Sequence, residues 1–332
     1  MIDIKESVRE TGFQTCKTLT NVTLRVTDPS LTSPTEGQKV MDIVMPFFLT
    51  KGLASMAENV QKFSLQTVIK LCKKGGVLLT PHLLEVISVM LESLTTFEPQ
   101  VLNYLSFHVE KKEQLENARL NAAKSSPMME AVDICVDLLD ESNMATFTPK
   151  LSQILRRGMG LPTRCGASKV VVTLCMHKPQ LVRQYADALL QPLVSGMITD
   201  RSPVVRKMYA AAIGHVTLLA SSDAIQRIVS QLKDLYLKSM ESDDADARIV
   251  AGTTILEMAK RARENIKDSW ADILPHVFLG ARDSNKDVQT VYKDAWDEVT
   301  GGKCLTLVTG FCIFLTVFWF IRFLWSYQAV CN

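Results

Sequence analysis

The chain has 332 residues, a net charge of +2, 22% charged residues and 47% hydrophobic residues. That length holds two conventional domains or one long array, and the composition belongs to a packed protein rather than a disordered one. The near-neutral balance removes any global electrostatic pull toward nucleic acid.

The N-terminal stretch MIDIKESVRE is charged and has no apolar core of the kind a signal peptide needs. The eight cysteines, Cys16, Cys72, Cys135, Cys165, Cys175, Cys304, Cys312 and Cys331, form no C-x-x-C pair, and most sit in apolar helical runs. They read as small core residues in a reducing compartment, so the body is expected in the cytoplasm and nucleus. Alternating β-branched runs between hairpin turns are missing, and helical stretches separated by short turns recur instead. The expected fold class is all-α.

Residues 4–26 are expected as one helix, without a partner before it. TDPSLTSPTEGQ (27–38), rich in Thr, Ser and Pro, reads as a loop. Helices near 38–50 and 53–73 pair, and Gly75-Gly76 in LCKKGGVLLT stops the second of them. Helices near 81–95 and 98–108 form the next pair. VEKKEQLENARLNAAKSSP (109–127) is a charged insertion or linker that contains a helix. Further helices fall near 128–140 and 145–157. Regular pairs then follow: 145–157 with 161–177, 180–198 with 202–220, 222–240 with 245–264, and 267–280 with 285–299. In SPVVRKMYAAAIGHVTLLA, Val205, Tyr209, Ala212, Val216 and Leu219 share one helix face, with Ser202 as N-cap and Pro203 at the first helical position.

Fixed offsets run through the second half. Arg164, Arg206 and Arg248 recur at intervals of 42, as do Val171, Ile213 and Ile255, and Leu151, Leu193, Leu235 and Val277. Pro192 and Pro275, like Asp200 and Asp283, are 83 apart, two repeats less one residue. A two-helix unit of about 42 residues is the signature of an α-solenoid of HEAT-like hairpins, in which stacking buries apolar faces that one hairpin cannot bury alone. Residues 1–108 are then HEAT-like repeats opening mid-repeat, 128–302 regular repeats, and 303–332 a hydrophobic C-terminal segment.

Arg164, Asp200, Arg206, Arg248 and Asp283 fall at the starts of the second helices, where a ladder of Asp and Arg ties neighbouring repeats. They are structural candidates rather than partner sites. RRGMGLPTRCG (156–166) follows a helix and lacks dinucleotide spacing, and 71–80 lacks the Lys-Ser/Thr end of a P-loop. Cys165, Cys175 and His177 fall close together in sequence but show no third orienting group. The five histidines have no zinc spacing, and no catalytic motif is present. The expectation is no enzyme, no metal and no cofactor. ESDDAD (241–246) places acid at a helix N-terminus, where it suits the helix dipole.

GLPTRCGASKVVVTLC and LLQPLVSGMITDRSPVVRKMYAAAIGHV resemble the large HEAT-repeat proteasome adaptor and scaffold protein family, and the likeness spans roughly residues 1–300. The resemblance implies a non-catalytic scaffold that binds the 26S proteasome, bridging its regulatory and core particles, with roles in assembly, quality control and localisation. The net charge of +2 goes with the expectation of no nucleic-acid partner. The chain is shorter than that family's members and so is expected to be a fragment or truncated isoform. After Gly301-Gly302 it departs from the family. Cys304–Ile321 carries no charge, and as a helix it would span about 27 Å against a hydrocarbon core of about 30 Å. Leu305, Phe311, Phe314, Trp319, Ile321 and Trp325 make it a candidate membrane segment over 304–325, with Trp319, Trp325 and Tyr327 suited to an interface; the alternative is a translated extension of a truncated message with no selected function. The alternative function is a generic HEAT-repeat adaptor tethered to a membrane by this helix.

Overall fold

The computed structural model describes residues 5–96 and 112–301. The expected helix at 98–108 and the membrane segment at 304–325 lie outside the described residues. Among the described residues every regular element is helical. They are α1 (Glu6–Val26), α2 (Pro34–Phe47), α3 (Glu58–Gly75), α4 (Leu83–Thr96), α5 (Lys112–Lys124), α6 (Pro127–Asp137), α7 (Glu141–Arg157), α8 (Gly160–His177), α9 (Pro179–Arg183), α10 (Ala186–Thr199), α11 (Pro203–Thr217), α12 (Ser222–Glu241), α13 (Ala245–Ala262), α14 (Trp270–Gly280) and α15 (Lys286–Thr300).

Local chemistry accounts for most boundaries, including three that differ from the sequence reading. The stretch 27–38 is not all loop: α2 already begins at Pro34, because Ser33 caps it and Pro34 is preorganised for the first helical position. After Pro46, which removes one helical hydrogen bond, the chain widens into a π-helical turn over Phe48–Gly52, and α3 starts only at Glu58. The expected helix at 180–198 is two pieces, α9 and α10, broken at Gln184-Tyr185. Gly75-Gly76 does stop α3: Gly76 has φ +50°, a conformation that favours glycine. A 3₁₀ turn carrying Pro81 then delays α4 to Leu83. Pro149, Pro192 and Pro275 lie inside α7, α10 and α14, at nearly the same place in each first helix.

The chain divides into two compact units, Met1–Ala188 with Arg201–Val205, and Leu189–Asp200 with Arg206–Asn332. In the first, α4 packs against α6 and α8, burying Val86, Ile87, Met90 and Leu91 completely. Thr163 Oγ1 on α8 donates to Leu91 O at 2.8 Å, and Thr95 Oγ1 on α4 donates to Met159 O at 2.9 Å. Within the charged stretch 109–127, α5 packs on α8 and buries Leu115, Leu120 and Ala123. Its Glu116 carboxylate accepts from Ser202 Oγ at 2.6 Å. The same hydroxyl oxygen accepts from Val205 N at 3.3 Å, which makes Ser202 the N-cap of α11. In the second unit, α13 packs against both α12 and α15, and α14 against α12 and α15.

Side-chain caps punctuate the repeats. Ser126, Asp140, Ser221, Asp244 and Asn285 each accept a backbone N–H from the first turn of the helix that follows. Asp244 belongs to the acidic run 241–246. Asn285 serves two donors, Asp287 N at 2.9 Å and Val288 N at 3.3 Å. Asn285→Ala should therefore lower the unfolding free energy by about 0.5–2 kcal/mol, read as a lower urea midpoint at unchanged slope.

Candidate functional site

The repeated arginines sit at the starts of second helices, in three different environments. Arg248, in the first turn of α13, is buried. Its Nε lies 2.9 Å from Asp283 Oδ2, with the two side chains 4% and 5% exposed. That contact is an ion pair rather than a hydrogen bond, since the Nε–H does not satisfy hydrogen-bond geometry. Nη1 donates to Ser239 O at 3.0 Å and Nη2 to Asp243 Oδ1 at 3.2 Å. Asp283 is held in turn by accepting from Asn285 N at 2.8 Å. The cluster thus ties the α12–α13 hairpin to the turn between α14 and α15. Arg206 reaches one repeat onward, with Nη2 3.6 Å from Asp246 Oδ2. Arg164 Nη1 donates to Gly158 O at 3.1 Å, within its own hairpin turn. Asp200 is half-buried and its backbone N–H closes the end of α10 on Gly196 O at 2.9 Å.

A buried aromatic group adjoins the Arg248 cluster. Tyr236 meets Tyr292 edge-on at 5.5 Å and His276 edge-on at 5.5 Å. Burial pushes the Tyr292 phenol well above its ordinary range, with Tyr236 and Asp283 adding to it. Burial, then the Asp283 charge, pushes Tyr236 up to about 12. Room for the Tyr292 ring comes from two glycines: a Cβ on Gly280 would stand 2.4 Å from it and one on Gly252 2.6 Å. Gly196 and Tyr209 repeat the relation, at 2.2 Å. Gly196 and Gly280 are 84 apart, and Tyr209 and Tyr292 are 83 apart. Sequence reasoning missed these pairs, although the offset already seen for Asp200 and Asp283 was a signal for them.

Burial lowers the His276 imidazole from its ordinary value of 6.5. Its Nδ1 lies 2.7 Å from Asp272 O and, in the neutral ring, donates to it. The unfolded chain takes up a proton near pH 6.5 that the folded chain resists. The stabilisation is therefore complete above that value and is lost as pH falls below it. His215 is shifted the same way, by burial and then by Arg261. The urea midpoint should fall between about pH 7.5 and pH 5.5, and His276→Gln should flatten part of that slope.

The Cys165, Cys175 and His177 group does not assemble a nucleophile. Cys165 and Cys175 are buried, and burial pushes Cys175 up to about 12, so it stays a thiol. His177 is exposed and its Nδ1 faces Asp137 Oδ1 at 3.5 Å. Cys135 is raised by its contact with Cys72 and then by burial. Among the described residues no group of three or more His, Cys, Asp or Glu is placed to hold a metal. One described stretch, Glu58–Thr96, is long and apolar enough to cross a membrane, but half of its apolar window is buried in the protein. It spans α3 and α4, which belong to the packed core.

Paired helices, a buried inter-repeat ion pair and a repeat of about 42 residues define a HEAT-type helical-repeat protein. Its fold is similar to part of the karyopherin Kap121p in the crystal structure with the SUMO protease Ulp1p. That match has a TM-score of 0.50 at 13% identity, over 85% of this chain and 29% of that one. Residues 79–237 match the HEAT-repeat domain of the proteasome adapter and scaffold protein ECM29. The Homo sapiens proteasome adapter and scaffold protein ECM29 is 34% identical over 309 residues, 91% of this chain and 16% of that protein. The Schizosaccharomyces pombe proteasome component ecm29 is 30% identical over 307 residues, 90% of this chain and 18% of that protein. The likeness to these adaptor and scaffold proteins runs over at least 90% of the chain, which spans less than a fifth of their length.

Proposed function

We propose that the chain is a non-catalytic scaffold segment that binds the 26S proteasome through its helical repeats, contacts the regulatory and core particles, and supports proteasome assembly, quality control or localisation in the cytoplasm and nucleus. The observation that carries this reading is the extent of the likeness. Relatives named as proteasome adapters or components, in Homo sapiens and Schizosaccharomyces pombe, align over at least 90% of the chain. The buried residues fit a scaffold: Arg248, Tyr292 and the glycines against its ring, Gly252 and Gly280, join neighbouring repeats. Affinity purification of the tagged chain from cell extract, with mass spectrometry of the eluate, tests it. Enrichment of both regulatory-particle and core-particle subunits supports the reading, and recovery of neither sinks it.

A second reading has its own observation, the uncharged run Cys304–Ile321. In it the tail tethers a HEAT-repeat adaptor to a membrane. Carbonate extraction of membranes carrying the full chain discriminates: retention supports a spanning helix, and release into the soluble fraction removes it.

A further inference from the structure

A groove runs along one side of α3. Its first part, 610 Å³, lies between α1 and α3, with Phe13 and Phe63 on the floor and Arg9 and Lys62 on the rim. Its second part, 370 Å³, lies between α3 and α6, with Leu65, Ile69 and Met128 on the floor and Lys70 and Lys73 on the rim. Gln66 lines both parts, which therefore adjoin each other along α3. Phe13 and Phe63 meet edge-on at 5.7 Å and are each half-buried, which leaves ring surface open to a ligand. Along α3, Lys62, Lys70, Lys73 and Lys74 stand against a single acid, Glu58. Lys62 pairs with Glu58 at 2.5 Å and Lys73 with Glu130 at 2.9 Å, both exposed pairs of the kind that contribute little and exchange readily. Lys70 is exposed and makes no ion pair among the described residues.

We propose that this groove binds an acidic protein segment with interspersed apolar side chains, laid along α3. The apolar floor takes leucine or phenylalanine side chains, and the lysine rim takes carboxylates. Lys62 and Lys70 are eight residues apart, about 12 Å along the helix axis, a distance that about four residues of extended peptide cover. The groove suits a peptide better than a nucleic acid. Glu6 and Glu10 line it and Glu58 and Glu130 stand beside its lysines. A strand with a phosphate at every nucleotide meets those carboxylates, whereas a peptide can set neutral residues opposite them. Binding of such a segment in this groove does not depend on the proteasome being the partner.

The test uses the full chain in a mild detergent and a fluorescein-labelled peptide of about twelve residues built from Glu, Asp, Leu and Phe. Fluorescence anisotropy should show saturable binding that weakens at least about fivefold on raising the salt and again about fivefold in K70E/K73E. Replacing Leu and Phe in the peptide by Ser should weaken it comparably. K150E, at an exposed lysine of α7 outside the groove, is the charge control and should bind as the wild type does. Circular dichroism checks that K70E/K73E is folded. Unchanged affinity in a folded K70E/K73E overturns the proposal. So does equal loss in K150E, or displacement of the peptide at equal affinity by a single-stranded RNA of similar length.

Discussion

Arg248→Ala should lower the unfolding free energy of the unit that carries it by about 3–5 kcal/mol. The deletion leaves the Asp283 carboxylate, 5% exposed, without its counter-charge, and leaves Ser239 O without its donor. Changing both partners, Arg248→Met with Asp283→Asn, removes the buried charges together and should cost less than Arg248→Ala alone. Urea unfolding followed by tryptophan fluorescence reads the result, since Trp270 and Trp296 lie in the same unit and Trp296 is buried. Equal losses for the single and double variants would show that the contact carries no charge-dependent stability.

Tyr292→Ala should cost about 3–5 kcal/mol, because it empties a ring-sized space at the joint of α13, α14 and α15. The glycines that make room for the ring, Gly252 and Gly280, leave no side chain there to fill it. Tyr292→Phe separates packing from polarity. The phenolic oxygen is buried with no hydrogen-bond partner among the described residues, so it contributes a desolvation penalty and no compensating bond. Phe at this position should leave stability unchanged or raise it by up to about 1 kcal/mol. A Phe variant as damaged as the Ala variant would mean that the hydroxyl is bonded and that the cluster is polar at its centre.

The regular second half of the chain was legible because its signals are local. Apolar spacing, Ser-Pro and Asp caps, and an offset of 42 place α7, α8 and α11 to α15 within a few residues. Arg248 and Asp283 were singled out by those offsets, but not their pairing. Two side chains 35 residues apart meet only when successive hairpins stack. The glycine–tyrosine pairs escaped for a similar reason. Each glycine reads as a weak helix former until the ring of the following helix is seen against it. The first half was less legible. Composition made 27–38 a loop although Ser33-Pro34 was an N-terminus signal within it, and nothing in the sequence announced the π-helical turn after Pro46. The charge of 109–127 suggested a linker, while the apolar residues that α5 buries on α8 are only three and widely spaced.

The repeats of this chain are proposed to form a proteasome-binding scaffold surface. Its most direct test is sedimentation of purified 26S proteasomes with the purified full chain across a concentration series. Saturable co-sedimentation at micromolar chain or below is expected. Absence of co-sedimentation at that concentration, with the chain shown to be helical and folded, would contradict it.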